Sequence, residues 1–190
     1  MIELSLSEIA AIVDGKLVGE DATVFGSVET DSRLISSGAL FIAKPGEVTD
    51  GHNFIGSASA LGAVGAIVER HIETELIAQI VVQDAVKALG VLAKAVLAEV
   101  RKNSDLKVIG ITGSNGKTST KNMLRAILSE FGETIAPIDS FNNEVGAPIS
   151  VLKVTHTTKY LVAELGAGGI GSIAYLADIT KPNIGVMLKV

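Results

Sequence analysis

The sequence predicts an α/β protein in two parts: a small mixed α/β unit, then a mostly parallel α/β unit built around a phosphate loop. Three observations predict it. Short β-branched runs alternate with amphipathic helical patterns along most of the 190 residues, and such alternation implies a parallel sheet with crossovers. A glycine-rich turn joins a hydrophobic strand to a helix at Gly110-Ile111-Thr112-Gly113-Ser114-Asn115-Gly116-Lys117-Thr118-Ser119. Hydrophobic residues make up 47 % of the chain and charged ones 19 %, a globular balance that excludes disorder.

The elements follow in order. Ser5-Leu6-Ser7-Glu8 is a capping box ahead of Ile9, Ile12 and Val13, so a short helix starts there and stops near Gly15. β-type runs are expected at Val24–Thr30 and Leu40–Ala43, separated by a turn at Ser36-Ser37-Gly38. Phe54–Leu61 reads as a helix closed by Gly62, and Ala66–Glu69 and Ile80–Gln83 as buried strands. Asp84 caps a long helix carrying Val86, Leu89, Leu92, Val96, Leu97 and Val100 at helical spacing. The polar run Arg101-Lys102-Asn103-Ser104-Asp105 places the domain boundary, giving 1–105 and 106–190. Beyond it come a strand at Lys107–Thr112, a helix at about 117–131, a strand near 133–136 and a short helix near 146–152. A strand at 159–164, a helix at 170–179 and a strand at 184–190 complete the run. The sequence stops inside that apolar strand, which reads as a piece of a longer protein.

Composition removes whole classes of function. There are no cysteines, so disulfide frameworks, thiol nucleophiles and thiolate metal sites are excluded. A net charge of −5, 4 % aromatics and no Trp argue against a nucleic-acid partner. Mean hydropathy is high, +0.45. Even so, no window of 18 residues is free of charge, and the N-terminus carries Glu3, Glu8 and Asp14 where a signal peptide would be basic. The expectation is a soluble, cytoplasmic chain with no membrane insertion.

The glycine-rich turn carries the strongest chemical signal. A helix start leaves backbone N–H groups without internal partners and adds partial positive charge, which suits phosphate. Gly113, Ser114, Asn115, Gly116, Lys117, Thr118 and Ser119 would cradle a triphosphate, with Lys117 as the charge on the transferred group and Thr118 as a Mg²⁺ ligand. The spacing is G-x-x-G-x-x-G-K-T rather than the usual G-x-x-x-x-G-K-[ST], so an accidental Gly-Lys-Thr is the bland alternative. Lys107, Lys121 and Arg125 make this region basic, for an anionic ligand or as an ordinary solvated helix face. Lys159–Glu164 is an apolar strand ending in a carboxylate, and ligands sit at the carboxyl ends of strands in open α/β sheets. Glu164 is therefore the candidate metal carboxylate, its alternative being a structural or solvated strand end; Asp178, at the far end of the next helix, is a poorer one. His52, His71 and His156 receive no catalytic role.

Together these segments resemble the Mur ligases, the ATP-dependent amide-forming enzymes of peptidoglycan precursor synthesis. Gly110–Ser119 resembles the family's ATP loop. Ser140-Phe141-Asn142-Asn143-Glu144-Val145-Gly146-Ala147-Pro148, Glu164-Leu165-Gly166-Ala167 and Gly171-Ser172-Ile173 resemble the segments that follow. Asp31-Ser32-Arg33, Gly38-Ala39-Leu40-Phe41, Gly46-Glu47 and Asp50-Gly51-His52 match, in order, the family's UDP-sugar domain. Gly168 and Ser172 depart from it, standing where relatives often carry a larger polar or basic residue and an acid.

The resemblance implies that 1–105 is a UDP-substrate-binding domain and 106–190 the first part of a truncated central ATP-binding domain. It implies ATP as co-substrate and Mg²⁺ as cofactor, held by Thr118 and Glu164. ATP would phosphorylate the terminal carboxylate of UDP-N-acetylmuramoyl-tripeptide, and the amine of D-alanyl-D-alanine would attack the acyl phosphate. On this reading the 190 residues do not turn over alone. Asn142 and Asn143 would orient the acceptor substrate or else hold a turn. Asp31, Ser32 and Arg33 would line a pocket for uracil or diphosphate or else form a loop salt bridge and cap. The rivals are the ligase of the preceding amino-acid-adding step, a folylpolyglutamate or cyanophycin-type synthetase, a P-loop nucleotide switch, and a non-catalytic UDP-sugar-binding module.

Overall fold

The computed structural model describes residues 1–46, 49–137 and 141–189. Glu47 of the Gly46-Glu47 motif, Ser140 and Val190 lie outside the described residues. The chain divides into two compact units, Met1–Leu92 and Ala93–Val190.

The first unit opens with β1 (Leu4–Ser5) and α1 (Leu6–Ile12). Ser5 caps α1 through the expected box: its hydroxyl accepts from Glu8 N, and Glu8 accepts from Ser5 N at 2.8 Å. Then come β2 (Lys16–Val18), β3 (Thr23–Val24), β4 (Val28–Glu29), β5 (Ala39–Ala43), α2 (Ile55–Ala60), β6 (Ala63–Val68) and β7 (Ala78–Val81). The sheet order is β2-β7-β6-β5-β4; β4 to β7 run parallel and β2 pairs antiparallel with β7. All five residues of β5 are buried, as a parallel strand covered on both faces requires. Phe41, fully buried, sits in a cluster with Ile35, Ile55, Ala58, Ala66 and Val68. Gly65 lets α1 approach β6, since a Cβ there would lie 2.5 Å from Leu6.

Two details depart from the sequence reading. Val24–Thr30 is split into β3 and β4, because Phe25 and Gly26 both donate to the Gly38 carbonyl instead of to a neighbouring strand. The three-residue β2 was not anticipated; its pairing with β7 is a long-range contact too short to leave an alternating pattern.

From α3 (Ala85–Lys102), whose first turn is held by the Asp84 side chain, the chain passes through β8 (Lys107–Thr112), α4 (Lys117–Ser129) and β9 (Thr134–Ile135). It continues through α5 (Gly146–Val151), β10 (Tyr160–Glu164), α6 (Ser172–Thr180) and β11 (Ile184–Met187). The second sheet has the order β11-β8-β10-β9 and is parallel throughout, as the β/α alternation requires. Alternation along the strands sorts its two faces. Ile109, Ile111 and Val162 pack with Leu124 and Leu128 of α4, whereas Ala163 and Leu165 pack with Ala147 and Leu176 of α5 and α6. Glu164, two residues after Val162, therefore falls on the α4 side. The last expected strand stops at Met187, although Leu188 N still donates to the Thr112 carbonyl. Among the described residues, no helix is long and apolar enough to cross a membrane.

Candidate nucleotide and metal site

The phosphate loop runs from the end of β8 into α4 and depends on two glycines. Gly113 has φ +136° and Gly116 φ +86°, both in the region that costs an L side chain. A Cβ on Gly113 would lie 2.9 Å from the Leu188 Cβ and 3.1 Å from its backbone carbon, so the position is closed sterically as well. Gly110 differs: its φ is ordinary, and a Cβ there would press Leu165 and Pro182, so it serves strand packing. The missing glycine at position 111 is thus no obstacle to the loop. Gly113→Ala is expected to lower stability by about 1–3 kcal/mol, read as a lower urea midpoint. An unchanged midpoint would contradict this account of the loop.

Ser114, Asn115 and Gly116 are exposed at the tip, and Lys117 and Thr118 are half-buried in the first turn of α4. Lys117 Nζ donates to the Gly113 carbonyl at 2.6 Å, which holds the ammonium against the loop. Ser114 N donates to the Lys189 carbonyl at 2.8 Å, so the segment after β11 braces the loop from outside. Thr112 Oγ1 donates to the Leu165 carbonyl, tying the loop's base to the end of β10.

Glu164 ends β10 directly beside this loop, paired in register with Ile111. It is fully buried, and neither carboxylate oxygen accepts a hydrogen bond. Buried carboxylates normally take several donors, so this pair of oxygens has coordination to spare. The nearest compensating charge is Lys121 of α4, also fully buried, with Nζ 3.9 Å from Glu164 Oε1: close enough for attraction, too long for a hydrogen bond. The residues fit a divalent ion of the magnesium type. Glu164 and the Thr118 hydroxyl are oxygen donors at adjacent loop ends, and magnesium keeps waters and phosphates as its remaining ligands. Among the described residues no group of three His, Asp or Glu side chains could hold a metal.

Lys121, which the sequence offers as a cation for an anionic ligand or as part of a solvated helix face, is instead buried beside Glu164. As a solvated-face cation that reading holds for Lys107 and Arg125, both exposed, but not for Lys121. The signal was available: Lys121, Leu124 and Leu128 fall on one face of α4, and the two leucines pack on the sheet.

The other candidates are placed as follows. Asn143 Oδ1 accepts from Val145 N and Gly146 N, opening α5 as a side-chain-held turn. The Asn142 carbonyl accepts from Gly166 N at 2.8 Å, which brings this segment against the loop following Glu164. Asp178 is exposed and paired with Lys94 and Lys181, which hold its carboxyl down at about 2. It is committed to surface ion pairs.

In the first unit, Asp31 accepts from Arg33 N and forks onto the Arg33 guanidinium, Nη2 to Oδ2 at 2.6 Å. Those bonds bring its carboxyl down to about 2 and raise the guanidinium further. Ser32 is buried beneath them, while the Arg33 side chain is 86 % exposed. The salt bridge and cap are both present, and the outward face of the guanidinium is open to an anion. His52 is buried: its Nδ1 lies 2.6 Å from Asp50 and its Nε2 accepts from Glu69 N, so both ring nitrogens hold structure.

Comparison with known proteins agrees with the geometry. A model of the Mur ligase middle domain matches residues 111–190, and one of the Mur ligase family catalytic domain matches 25–109. The UDP-N-acetylmuramoyl-tripeptide–D-alanyl-D-alanine ligase of Mycobacterium leprae is 42 % identical over 216 residues, covering 100 % of this chain and 42 % of that protein. A crystal structure of MurF from Acinetobacter baumannii superposes with a TM-score of 0.85 at 36 % identity, over 97 % of this chain and 40 % of the other. MurF ligase from Thermotoga maritima, solved in complex with ADP, gives a TM-score of 0.74 at 32 % identity, over 88 % and 38 %. The chain thus spans about two-fifths of the length of each of these relatives.

Proposed function

Because this chain belongs to the Mur ligase family, we propose that its loop and Glu164 serve ATP-dependent amide-bond formation, the joining of D-alanyl-D-alanine to UDP-N-acetylmuramoyl-tripeptide. The observation that carries the proposal is a buried carboxylate with two unengaged oxygens beside a left-handed-glycine loop at a helix N-terminus. The division of labour follows the polar run at 101–105: residues 1–105 hold the UDP-linked peptide and 106–190 hold nucleotide.

In this mechanism the N–H groups of Gly113–Ser119 and the start of α4 bind the β- and γ-phosphates. Lys117, held at the loop, offsets charge on the phosphoryl group as it passes to the peptide carboxylate and ADP leaves. The amine of D-alanyl-D-alanine then attacks the acyl phosphate, releasing inorganic phosphate and forming the amide. Glu164 and Thr118 would hold Mg²⁺, which when bound offsets the repulsion between triphosphate and carboxylate. Asn142, at the loop after Glu164, and Asn143, at the start of α5, are neutral groups suited to orienting the acceptor. Asp31, Ser32 and Arg33 form the anchor for the UDP moiety, with Asp31 holding the Arg33 fork and the guanidinium's outward face turned to diphosphate. The reaction's soluble nucleotide substrates suit a cytoplasmic setting.

Thermal unfolding with one ligand at a time tests the reading. Mg-ADP and UDP-N-acetylmuramoyl-tripeptide should each stabilise the chain, by about 2.7 kcal/mol at a hundredfold excess over Kd. Stabilisation by neither removes the proposal. A stronger response to the UDP-dipeptide than to the tripeptide would move the chain to the preceding ligation step.

A further inference from the structure

Resting on the reading of the first unit as the holder of the UDP-linked peptide, we propose that Arg70 is a second guanidinium of that anchor, gripping the diphosphate together with Arg33. The carboxyl edge of the first sheet is where the two meet. β4, β5 and β6 are parallel neighbours, with Glu29, Phe41 and Ala66 level with one another. Arg33 follows Glu29 by four residues and Arg70 follows Ala66 by four, so both arginines leave the same edge, one on each side of β5. Two strand spacings, about 10 Å, separate β4 from β6, a gap that two arginine side chains can close around one diphosphate. Ligands of parallel α/β sheets sit at this edge.

Both guanidinia are held by aspartates of the same edge. Asp31 takes the Arg33 fork, and Arg70 Nη2 donates to Asp50 Oδ2. The Arg70 side chain is 56 % exposed, and one Nη2 bond leaves further N–H donors of its planar group for an anion. Asp50 is itself fixed from beneath. Its Oδ1 accepts from His52 N and lies 2.6 Å from His52 Nδ1, while the buried His52 ring accepts at Nε2 from Glu69 N, the residue before Arg70. One buried imidazole thus joins the Asp50 loop to the chain just where Arg70 leaves β6. A surface ion pair contributes little and needs no such support. Here the support fixes an exposed guanidinium on the edge that Arg33 occupies.

The test is binding of UDP, by calorimetric titration, and of uridine, by saturation-transfer NMR, to the 190-residue chain. The ratio of the two affinities isolates the diphosphate. In Arg70→Met that ratio should fall about thirtyfold, the loss expected of a charge-assisted hydrogen bond, with uridine affinity unchanged. Arg70→Lys should lose less, since it keeps a point charge without the fork. An unchanged ratio in Arg70→Met, or equal losses for UDP and uridine, would overturn the proposal. If Arg70→Met does not fold, Asp50→Asn combined with Arg70→Gln removes both charges of the pair and carries the same comparison. Arg33→Met separates the two levels. A loss of UDP affinity there with none in Arg70→Met leaves the UDP reading standing and removes the proposal, and a wild type that binds no UDP removes both.

Discussion

Replacing Glu164 by alanine is expected to cost about 3–5 kcal/mol of stability, because it breaks a fully buried ion pair with Lys121. A strand-end glutamate in solvent would cost a few tenths. The size of the loss therefore discriminates between a buried charge centre and the bland alternative of a solvated strand end. Urea denaturation of the single and double variants measures it. Glu164→Ala combined with Lys121→Met should lose less than the sum of the single changes, since the two side chains share one buried interaction. A Glu164→Ala loss under about 1 kcal/mol would contradict the placement of these two residues.

Lys117→Met should leave the fold intact and weaken Mg-ADP binding by about 2 kcal/mol, roughly thirtyfold. The side chain is half-buried, and its bond to the Gly113 carbonyl stays within the loop, so its removal touches no core contact. Calorimetric titration of both forms gives the ratio, with circular dichroism as the check on folding. Undiminished affinity would mean that the ammonium never meets phosphate. That result would return the Gly-Lys-Thr sequence to the status of an ordinary βα turn.

What the sequence displayed well was local chemistry. The capping box at Ser5–Glu8, the Asp84 cap and the strand–glycine–helix order at 107–129 each involve neighbours in the chain, and each is present in the fold. Pairings between distant segments were harder to see. β2 carries no pattern of its own, and Val24–Thr30 broke in two because its hydrogen bonds go to Gly38. Lys121 shows why the site was only partly visible. A lysine on an amphipathic helix is almost always solvated, so the general expectation outweighed its alignment with Leu124 and Leu128. The β10 carboxylate that faces this buried ammonium lies more than forty residues away in the chain, out of reach of a local reading. Asp31-Ser32-Arg33 and Asn143 show the reverse: their capping roles were written in the local sequence, and those bonds are formed.

A crystal structure of this chain with Mg²⁺ and a non-hydrolysable ATP analogue tests the central claim most directly. The account predicts the triphosphate in the bend between Gly113 and Ser119, the Lys117 ammonium swung from the Gly113 carbonyl onto the phosphates, and the metal held jointly by the analogue, Thr118 and Glu164. A triphosphate bound elsewhere, or a metal that Glu164 does not touch, would contradict it.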